Sequence, residues 1–389
     1  MTKEKTRVLR IINRFNLGGP TYNVAYLTKY LGSEYETMLL GGEKDDSEAS
    51  SEFILDKLGI TARYIPEMKR SISLDDIKAY RKISRIIQEF KPHIVHTHAS
   101  KAGTLGRLAA YHNNVPVILH TFHGHVFHSY FGNLTTNFYK VIERFLAGLS
   151  SKIIAISEQQ KLEIGTEHKI CSPDKIAIVP LGFDLTRFSE KRDEKRKDFR
   201  NKYELSDEEV AVVIVGRLVP IKNHRMFLDV AKRLVDAGGT HIRFFIVGDG
   251  ESREEVIAYS KHIGLNHTWM EAPTEKAPLC FTSWIKEVDW VYAGCDIVCL
   301  TSLNEGSPVS LIEAQSAGLP IVSTKVGGIH DVVVENESAL LSAKGDVEDF
   351  FQKLNLLIKD PDLRARFGSN GEYHVSVKYS YIRLIQDIE

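Results

Sequence analysis

Two glutamates, Glu305 and Glu313, flank a short Gly-Ser-Pro loop, with seven residues between them. The loop follows a run typical of a buried strand (296–301) and leads into a predicted helix. Carboxylates at such a place accept hydrogen bonds from hydroxyl groups, while free backbone N–H groups of residues 307–310 would face an anion. The stretch therefore indicates a ligand that carries both hydroxyls and phosphate.

Arg217 and Lys222 follow the end of another strand-like run, in the segment VGRLVPIKN. Arginine can grip two oxygens as a fork, and lysine acts as a point charge, so a diphosphate would suit the pair. From this loop alone, two solvated surface cations remain an alternative.

Histidines are concentrated after two further strand-like runs: His96, His98, His120, His123, His125 and His128. Such a cluster fits either a zinc site or groups that touch a sugar, and several members are expected to be structural. Zinc is the weaker interpretation, because no H-E-x-x-H string or Cys/His pairing accompanies them. A glycine turn at Asn16 to Gly19 would let a ligand phosphate approach the backbone, although a plain tight turn fits equally well.

These residues need elements to position them, and apolar runs alternate with helical patterns along the whole chain. The predicted strands of the first half are 7–12, 37–40, 93–97, 117–121, 153–156 and 176–179, and its predicted helices are 21–31, 74–90, 104–111, 134–149 and 158–165. The second half has predicted strands at 210–215, 243–247, 297–301 and 320–323, with helices at 224–237, 253–263 and 309–317. An apolar stripe also predicts a single helix over 373–389. The alternation predicts two Rossmann-like domains, each with a parallel sheet.

The composition is that of a soluble globular protein of 389 residues, with 43% hydrophobic and 26% charged residues. Its net charge of −1 is unevenly placed. Residues 1–200 hold 31 Lys and Arg against 23 Asp and Glu, and residues 201–389 hold 19 against 28. A basic half can contact an anionic membrane or simply be solvated.

The four cysteines show no disulfide framework, no apolar run of signal-peptide length precedes Asn13, and no stretch approaches the length of a spanning helix, so neither a signal peptide nor a membrane span is expected. Reduced thiols and a cytoplasmic location are therefore expected, and nothing indicates nucleic acid as a partner.

Several segments in order resemble the retaining family-4 glycosyltransferases with the GT-B fold. EGSPVSLIE is similar to the E-x7-E signature of that family, and VGRLVPIKN to its Arg and Lys loop. The segments VGDGESREEV, FTSWIKEVDWVYAGCDIVCLTS, HTHASKAGTLGRLAA, VPVILHTFHGHVFH and VPLGFDLTRF also resemble family segments. Ser283 and Asp331 depart from the family pattern, which often has Gly and Glu at those positions.

The resemblance implies two Rossmann-like domains facing a central cleft, with the C-terminal helix crossing back to the first domain. The implied boundaries are an acceptor domain of residues 1–190 plus 373–389, a linker at 191–205, and a donor domain of residues 206–372.

The resemblance also implies roles for individual residues. The implied catalytic residues are His123, Arg217, Lys222 and Glu305. Arg217 and Lys222 would hold the diphosphate, Glu305 and His123 the donor sugar, and Glu313 the ribose hydroxyls. The implied donor-binding residues are Gly19, Trp284, Ile285, Glu305, Gly306, Ser307, Pro308, Val309, Ser310 and Glu313. The acceptor-side candidates are His98, Lys101, His125, Phe127 and Tyr130.

The expected reaction moves a sugar from a nucleotide-diphosphate sugar, with UDP favoured over GDP, to a saccharide or lipid-linked saccharide in cell-surface polysaccharide biosynthesis. No metal is expected, because basic side chains replace it, and Asp360-Pro-Asp362 is interpreted as a helix cap and turn. A nucleotide-sugar epimerase and a catalytically silent nucleotide-sugar-binding subunit remain alternatives. Peripheral contact with the inner face of a membrane remains a hypothesis.

Overall fold

A computed structural model describes residues 4–16, 19–43, 50–69, 71–123, 133–269 and 276–389, with the side chains of 133–136 excepted. The chain forms two compact units. Unit 1 comprises Met1–Phe183 with Tyr379–Glu389, and unit 2 comprises Asp184–Lys378. The units therefore meet at 183/184 and 378/379 in the sequence, rather than at the expected limits of 190 and 373.

Unit 1 contains a seven-stranded sheet in which every pairing is parallel. Its strands are β1 (Thr6–Arg14), β2 (Tyr35–Gly42), β3 (Arg63–Tyr64), β4 (Ile94–His98), β5 (Val117–Thr121), β6 (Lys152–Ala155) and β7 (Ile176–Ile178). The strand order is β3-β2-β1-β4-β5-β6-β7, so the direction of winding reverses between β1 and β4.

The helices of unit 1 lie between its strands. They are α1 (Gly19–Tyr30), α2 (Glu52–Leu58), α3 (Asp75–Phe90), α4 (Ser100–His112), α5 (Asn133–Leu149) and α6 (Glu158–Leu162), followed by a π-helical turn (Glu163–Glu167) and a 3₁₀ turn (Pro173–Lys175). Successive residues of β1 pack on opposite sides: Leu9 joins a core cluster with residues of α3 and α4, and Ile12 joins one with residues of α1 and α2. Both faces of the strand are thus covered, and its four apolar residues, Val8, Leu9, Ile11 and Ile12, are all buried, as expected of the strand predicted at 7–12.

Unit 2 repeats this plan with a second seven-stranded parallel sheet. Its strands are β8 (Val210–Val215), β9 (Ile242–Val247), β10 (His267–Trp269), β11 (Leu279–Ser283), β12 (Ile297–Leu300), β13 (Ile321–Thr324) and β14 (Ala339–Ser342). The order is β10-β11-β9-β8-β12-β13-β14, so winding reverses between β8 and β12. Ligands of open parallel sheets bind beyond the carboxyl ends of the strands at such a reversal.

The helices of unit 2 cover both faces of this sheet. They are α7 (Thr186–Ser189), α8 (Arg192–Lys202), α9 (His224–Asp236), α10 (Arg253–His262), α11 (Val288–Gly294), α12 (Val309–Ser316), α13 (Ile329–Val332), α14 (Val347–Lys359) and α15 (Pro361–Lys378), with a 3₁₀ turn at Pro220–Lys222. The carboxylate of Asp360 accepts a hydrogen bond from the backbone N–H of Leu363 (2.8 Å), which makes it the cap of α15. This agrees with the interpretation of Asp360-Pro-Asp362 as a cap and turn.

The expected linker, 191–205, is an ordered part of unit 2. Most of it forms α8, whose Phe199 is fully buried with its ring centroid 4.8 Å from that of Trp290. Arg196 and Arg200 both donate to the carboxylate of Asp296. The charge density that suggested a linker lies partly at exposed positions such as Glu194 and Lys197 and partly in the pairs with Asp296, whereas Phe199 and Tyr203, four residues apart, are buried.

The predicted helix over 373–389 is two helices. α15 ends at Lys378, and α16 (Tyr381–Ile388) begins after the cap residue Ser380, whose side chain accepts from Ile382 N–H (3.2 Å). Between them, Phe183 N–H donates to Tyr379 O (2.8 Å), and Tyr381 N–H donates to Phe183 O (3.1 Å). Leu384 and Ile385 of α16 then pack with residues of α1 and β6 and with Val179, which follows β7, so the prediction that the C-terminal helix returns to the first domain is correct.

Candidate active site

The crevice at the winding reversal of unit 2 is where the sequence-predicted cations and carboxylate meet. β8 leads into the loop of Arg217 and Lys222, and the neighbouring β12 leads into the loop of Glu305. The two loops are joined through backbone groups: Leu303 N–H donates to Ile221 O (2.8 Å), and the Thr301 hydroxyl donates to Lys222 O (3.1 Å). The fold therefore brings together two motifs that lie more than eighty residues apart in sequence.

Lys222 and Glu305 form a direct ion pair in this crevice, with 2.5 Å between Lys222 Nζ and Glu305 Oε1. Their side chains are only 19% and 10% exposed. The Ser302 hydroxyl donates to the same carboxylate oxygen at 2.5 Å. Water screens such a pair poorly, and the geometry holds an ammonium group and a carboxylate side by side at the edge of the sheet.

Arg217 is exposed at the same edge, and within the described part of the chain its guanidinium makes no hydrogen bond or ion pair. An uncommitted guanidinium next to a lysine can receive an anion without first breaking an internal pair. The two predicted cations therefore differ: Lys222 is held by its ion pair with Glu305, whereas Arg217 is exposed to solvent.

Backbone packing explains why glycines recur around this crevice. A Cβ added to Gly327 would lie 1.9 Å from Glu305 O, and one added to Gly248 would lie 1.9 Å from Gly216 O. Both glycines also have positive φ, +50° and +145°. Gly328 N–H in turn donates to Glu305 O (3.0 Å), so the Glu305 loop is held from both sides. Side chains at these positions would push the loops apart.

Glu313 lies on α12 and has a different environment from that of Glu305. Its carboxylate accepts from Arg187 Nη2 at 3.1 Å. Burial raises the pKa of Glu313 to about 7, while the charge and hydrogen bond of Arg187 oppose the rise and Asp289 adds to it. The remaining donor candidates of this stretch, Gly306 to Ser310, form the turn and the first residues of α12, where Tyr292 Oη donates to Ser310 O (3.0 Å).

The predicted base-binding residues, Trp284 and Ile285, follow β11 directly. Trp284 is exposed. Ser283, which stands where the family often has Gly, has φ +58°, a conformation that glycine adopts without strain. Its hydroxyl donates to Asp249 (3.0 Å), which stabilises the turn in place of the glycine.

In unit 1, four of the six predicted histidines can be described; His96, His98 and His120 are buried, His123 is half-buried, and all four make hydrogen bonds near the carboxyl ends of β4 and β5. His98 Nδ1 lies 2.9 Å from His123 Nε2, His96 Nε2 lies 2.8 Å from Thr121 Oγ1, and His120 Nδ1 lies 2.9 Å from Thr97 Oγ1. The rings of His98 and His123 are stacked, with centroids 5.2 Å apart.

Burial keeps these histidines uncharged near neutral pH. It holds the pKa of His96, His98 and His120 well below the usual value, and nearby charges, Arg10 and Arg107 among them, act in the same direction. Burial also lowers the pKa of His123 to about 4. Within the described residues, no group of three His, Cys, Asp or Glu side chains has the geometry to hold a metal ion.

The other acceptor-side and donor-side candidates of unit 1 have separate positions. Gly19 is the first residue of α1. Lys101, at the start of α4, donates to Ser71 O and forms an ion pair with Asp76 (2.7 Å), so it connects α4 to the first turn of α3 and to the segment before it. His125, Phe127 and Tyr130 lie outside the described residues.

Arg187 is the residue that the sequence analysis missed. It lies within the family-like segment VPLGFDLTRF, so a signal was present, but nothing in the local pattern linked it to Glu313, 126 residues away. The four cysteines, by contrast, behave as expected: all are unpaired, and three are buried.

Comparisons with known proteins fit this geometry. Residues 17–187 match the family model described as Glycosyltransferase Family 4, and residues 195–374 match the one described as Glycosyl transferases group 1. The chain is 31% identical over 308 residues to the UDP-Gal:alpha-D-GlcNAc-diphosphoundecaprenol alpha-1,3-galactosyltransferase of Escherichia coli, covering 78% of this chain and 75% of that protein. It is 27% identical over 330 residues to the capsular polysaccharide biosynthesis glycosyltransferase CapM of Staphylococcus aureus, covering 84% and 83%.

Among solved structures, Anabaena Alr3699/HepE in complex with UDP superposes with a TM-score of 0.79 at 18% identity, covering 98% of both chains. In the described part of this chain, no helix combines the length and apolar character needed to cross a bilayer. The matches span both units and the ion-paired crevice alike, and we conclude that the chain belongs to the family-4 glycosyltransferases and has the GT-B fold.

Proposed function

We propose that the protein is a retaining glycosyltransferase that moves a hexose or N-acetylhexosamine from a UDP-sugar to a saccharide or lipid-linked saccharide. The observation that carries this proposal is the Lys222–Glu305 ion pair beside the open Arg217 at the winding reversal of unit 2. Cations for a diphosphate and a carboxylate for sugar hydroxyls are thereby held in one crevice. UDP is preferred because the Escherichia coli relative carries UDP-Gal in its name and Alr3699/HepE was solved with UDP.

In this proposal the main catalytic effect is charge stabilisation by Arg217 and Lys222. Arg217 and Lys222 neutralise the charge that develops on the diphosphate as its bond to the sugar carbon breaks. Glu305 accepts hydrogen bonds from the donor sugar, and His123 is proposed as a further sugar contact. Preorganised charges of this kind stabilise a transition state without reorganisation at the moment of reaction.

Retention follows if the acceptor enters on the face from which the diphosphate leaves. The acceptor oxygen forms the new bond to the sugar carbon, and its proton passes to the departing phosphate oxygen. No side chain is then needed as a covalent nucleophile, so Glu305 acts as a sugar-positioning residue. A glycosyl adduct trapped on Glu305 would contradict this mechanism.

The donor assignment is tested by thermal stabilisation with a panel of UDP-, GDP- and ADP-sugars, because a bound donor stabilises the folded state by mass action. We expect one UDP-sugar to raise the Tm most and to be turned over. NMR of the glycosylated product then shows whether the anomeric configuration of the donor is kept. An inverted product would overturn the retaining mechanism, and an epimer formed from donor alone would favour the epimerase.

We also propose that turnover needs no divalent cation, since Arg217 and Lys222 occupy the role of a metal at the diphosphate. Activity in excess EDTA should match activity with added Mn²⁺. Loss of turnover in chelator that manganese restores would refute this part of the proposal.

For the acceptor, we propose a lipid-linked saccharide at the cytoplasmic face of a membrane. The supporting feature is the α5 stripe, which we define as Phe138, Val141 and Phe145, with 64%, 59% and 60% of their surface exposed. These positions lie on one side of the helix. The other large side chain exposed there is Arg144, whereas Glu143 turns inward to Arg107, so the described outer face of α5 carries no carboxylate. An apolar stripe beside a cation suits an anionic lipid surface.

Sedimentation with vesicles tests this contact. We expect the wild type to bind vesicles that contain phosphatidylglycerol, and F138S/V141S/F145S to bind them at least about tenfold more weakly, because burial of the large apolar side chains is lost. Y373S/V377S removes two exposed apolar residues from α15 of unit 2 and serves as the matched control. Equal binding by both variants, or turnover of water-soluble acceptors alone, would reject the lipid surface.

A further inference from the structure

Arg187 and Glu313 form a contact that the roles above leave unexplained. Arg187 lies on the short helix α7 and Glu313 in the second turn of α12, and their side chains are 32% and 16% exposed. The 3.1 Å bond runs from Arg187 Nη2 to Glu313 Oε1, and Oε2 accepts no hydrogen bond from the described residues. One carboxylate oxygen is therefore engaged by the cation, and the other can accept further donors.

Arg187 is itself held by its surroundings. Lys195 of α8 donates to Arg187 O at 2.5 Å and forms an ion pair with Asp289 of α11 at 2.8 Å. The guanidinium lies over the ring of Phe188, 4.6 Å from its centroid, and Phe188 is buried. A side chain that is fixed at its backbone and along its length loses little entropy when it orients a partner.

The segment that carries Arg187 is also fastened to the helix that carries Glu313. The Ser316 hydroxyl of α12 donates to Leu185 O (3.2 Å), and the Asp184 carboxylate accepts from both the backbone and the hydroxyl of Thr186. Arg187 and Glu313 are thus held next to each other by the Ser316–Leu185 contact and by the contact of Lys195 with the Arg187 backbone.

The charges around Glu313 act on its pKa in opposite directions, and Arg187 is the group that lowers it. Burial raises the pKa of Glu313 to about 7, Asp289 raises it further, and Arg187 opposes both. Tyr292 of α11 feels the Glu313 charge as well, but its own pKa is raised well above the usual value, so it stays neutral. Lys195 is already paired with Asp289, which leaves Arg187 as the cation bonded to Glu313.

We propose that Arg187 is a positioning residue for donor recognition: its ion pair with Glu313 favours the carboxylate form and fixes its orientation, so that the second carboxylate oxygen accepts hydrogen bonds from the ribose hydroxyls of the nucleotide. The inference rests on the proposed function in that Glu313 is taken as the ribose contact. Arg187 acts through Glu313 and does not touch the reacting atoms. A protonated Glu313 would lose part of its acceptor capacity, and hydrogen bonds to a neutral group are weaker than those to a carboxylate.

Two ligands separate this role from a general structural one: UDP, and 2′,3′-dideoxy-UDP, which lacks both ribose hydroxyls. Binding is measured by calorimetry between pH 6 and pH 9 for the wild type, Arg187→Met, Arg187→Lys and Glu313→Gln. Met keeps most of the length of the arginine side chain without its charge, and Lys restores the charge. The Tm of each unliganded variant shows that it is folded.

We expect Arg187→Met to weaken UDP binding at pH 7 by about tenfold or more, the effect of a lost charge-assisted hydrogen bond. Binding of the dideoxy ligand should change by less than about twofold, since that ligand makes no bond to Glu313. The pH at which UDP binding falls should be higher in Arg187→Met than in the wild type. Arg187→Lys should recover most of the loss, and Glu313→Gln should show the same ligand dependence as Arg187→Met.

Equal weakening of both ligands in Arg187→Met would overturn the proposal, because Arg187 would then act on the diphosphate or on the fold. Unchanged UDP binding in Arg187→Met would overturn it as well. If the wild type binds UDP and the dideoxy ligand equally, the ribose role of Glu313 fails while sugar transfer still stands. If the wild type binds neither ligand, the donor assignment itself has failed, which is a distinct result.

Discussion

The carboxyl edges of the two sheets carry different kinds of polar group. In unit 1 the edge holds buried histidines that are neutral and bonded to one another or to threonines. In unit 2 the edge holds charges, with Lys222 paired to Glu305 and Arg217 open. Neutral imidazoles can orient a ligand but neutralise little charge, whereas the cations of unit 2 can stabilise a leaving diphosphate. The same fold therefore places neutral hydrogen-bonding groups at the edge of one sheet and charged groups at the edge of the other.

Charge is present in unit 1, but its buried ion pair is structural. Arg107 of α4 and Glu143 of α5 are 2.7 Å apart, and their side chains are 0% and 4% exposed. The pair joins two neighbouring helices, and Arg107 also donates to Gly103 O within α4. Removing one partner would leave a buried carboxylate without its cation, which is costly.

The largest expected effect tests this assignment. Arg107→Met should reduce the free energy of unfolding of unit 1 by about 3–5 kcal/mol. All three tryptophans, Trp269, Trp284 and Trp290, belong to unit 2. Urea unfolding followed by far-UV circular dichroism should therefore shift, while the tryptophan fluorescence transition moves less.

Lys325→Met is the matched control, because it breaks the exposed pair with Glu335 and should cost about 0–1 kcal/mol. A small effect of Arg107→Met, comparable to that of the control, would mean that the buried pair of unit 1 is dispensable.

The next effect concerns charge at the edge of unit 2. Lys222→Met should lower the rate of transfer at saturating donor by about a hundredfold, since one preorganised charge at the leaving group is lost. Initial rates with the preferred donor measure this, with Lys325→Met again as the control. A loss confined to KM would show that Lys222 binds the ground state and transition state equally, which would remove the contrast between the two edges.

The smallest effect is a dependence of stability on pH. The pKa of Glu313 is about 7 when folded and near 4.5 when unfolded, so the folded state holds the extra proton between these values. Ionised Glu313 thus destabilises the protein above pH 7, and this cost fades as the pH falls to about 4.5. Glu313→Gln should therefore raise the free energy of unfolding at pH 8 by on the order of 2 kcal/mol at most, seen as a higher Tm, and the difference should shrink towards pH 5.

The histidines of unit 1 should make the protein less stable as the pH falls, which is opposite to the effect of Glu313. Their pKa values are lowered in the folded state, so the unfolded state binds more protons below about pH 6.5, and stability falls as the pH drops. Thermal scans of the wild type and Glu313→Gln across pH 5–8 separate the two contributions. A constant Tm difference across that range would show that burial does not perturb Glu313.

Much of the architecture is written in local sequence patterns. The strands 117–121 and 210–215 have the bounds that the sequence predicted, because an apolar run between turns specifies a buried strand without reference to its partners. Short elements such as β3 (Arg63–Tyr64) and α13 (Ile329–Val332) were not predicted, because two to four residues are too few to show a repeating pattern of apolar and polar side chains. The segments 191–205 and 373–389 were misjudged, because a charged helix with two buried aromatics resembles a linker, and a break set by pairing with Phe183 leaves no local trace.

For the site, the sequence by itself determined which residue types stand in the loops after the strands: Arg217 and Lys222 after β8, and Glu305 after β12. Strand alternation and turn chemistry are local, so those loops could be located without the fold. Only the tertiary structure decided that β8 and β12 are neighbours, that Lys222 pairs with Glu305, and that Arg187 meets Glu313 across 126 residues. The order of strands in a sheet depends on long-range packing and on the burial of both its faces, and neither is encoded in the spacing of residues along the chain.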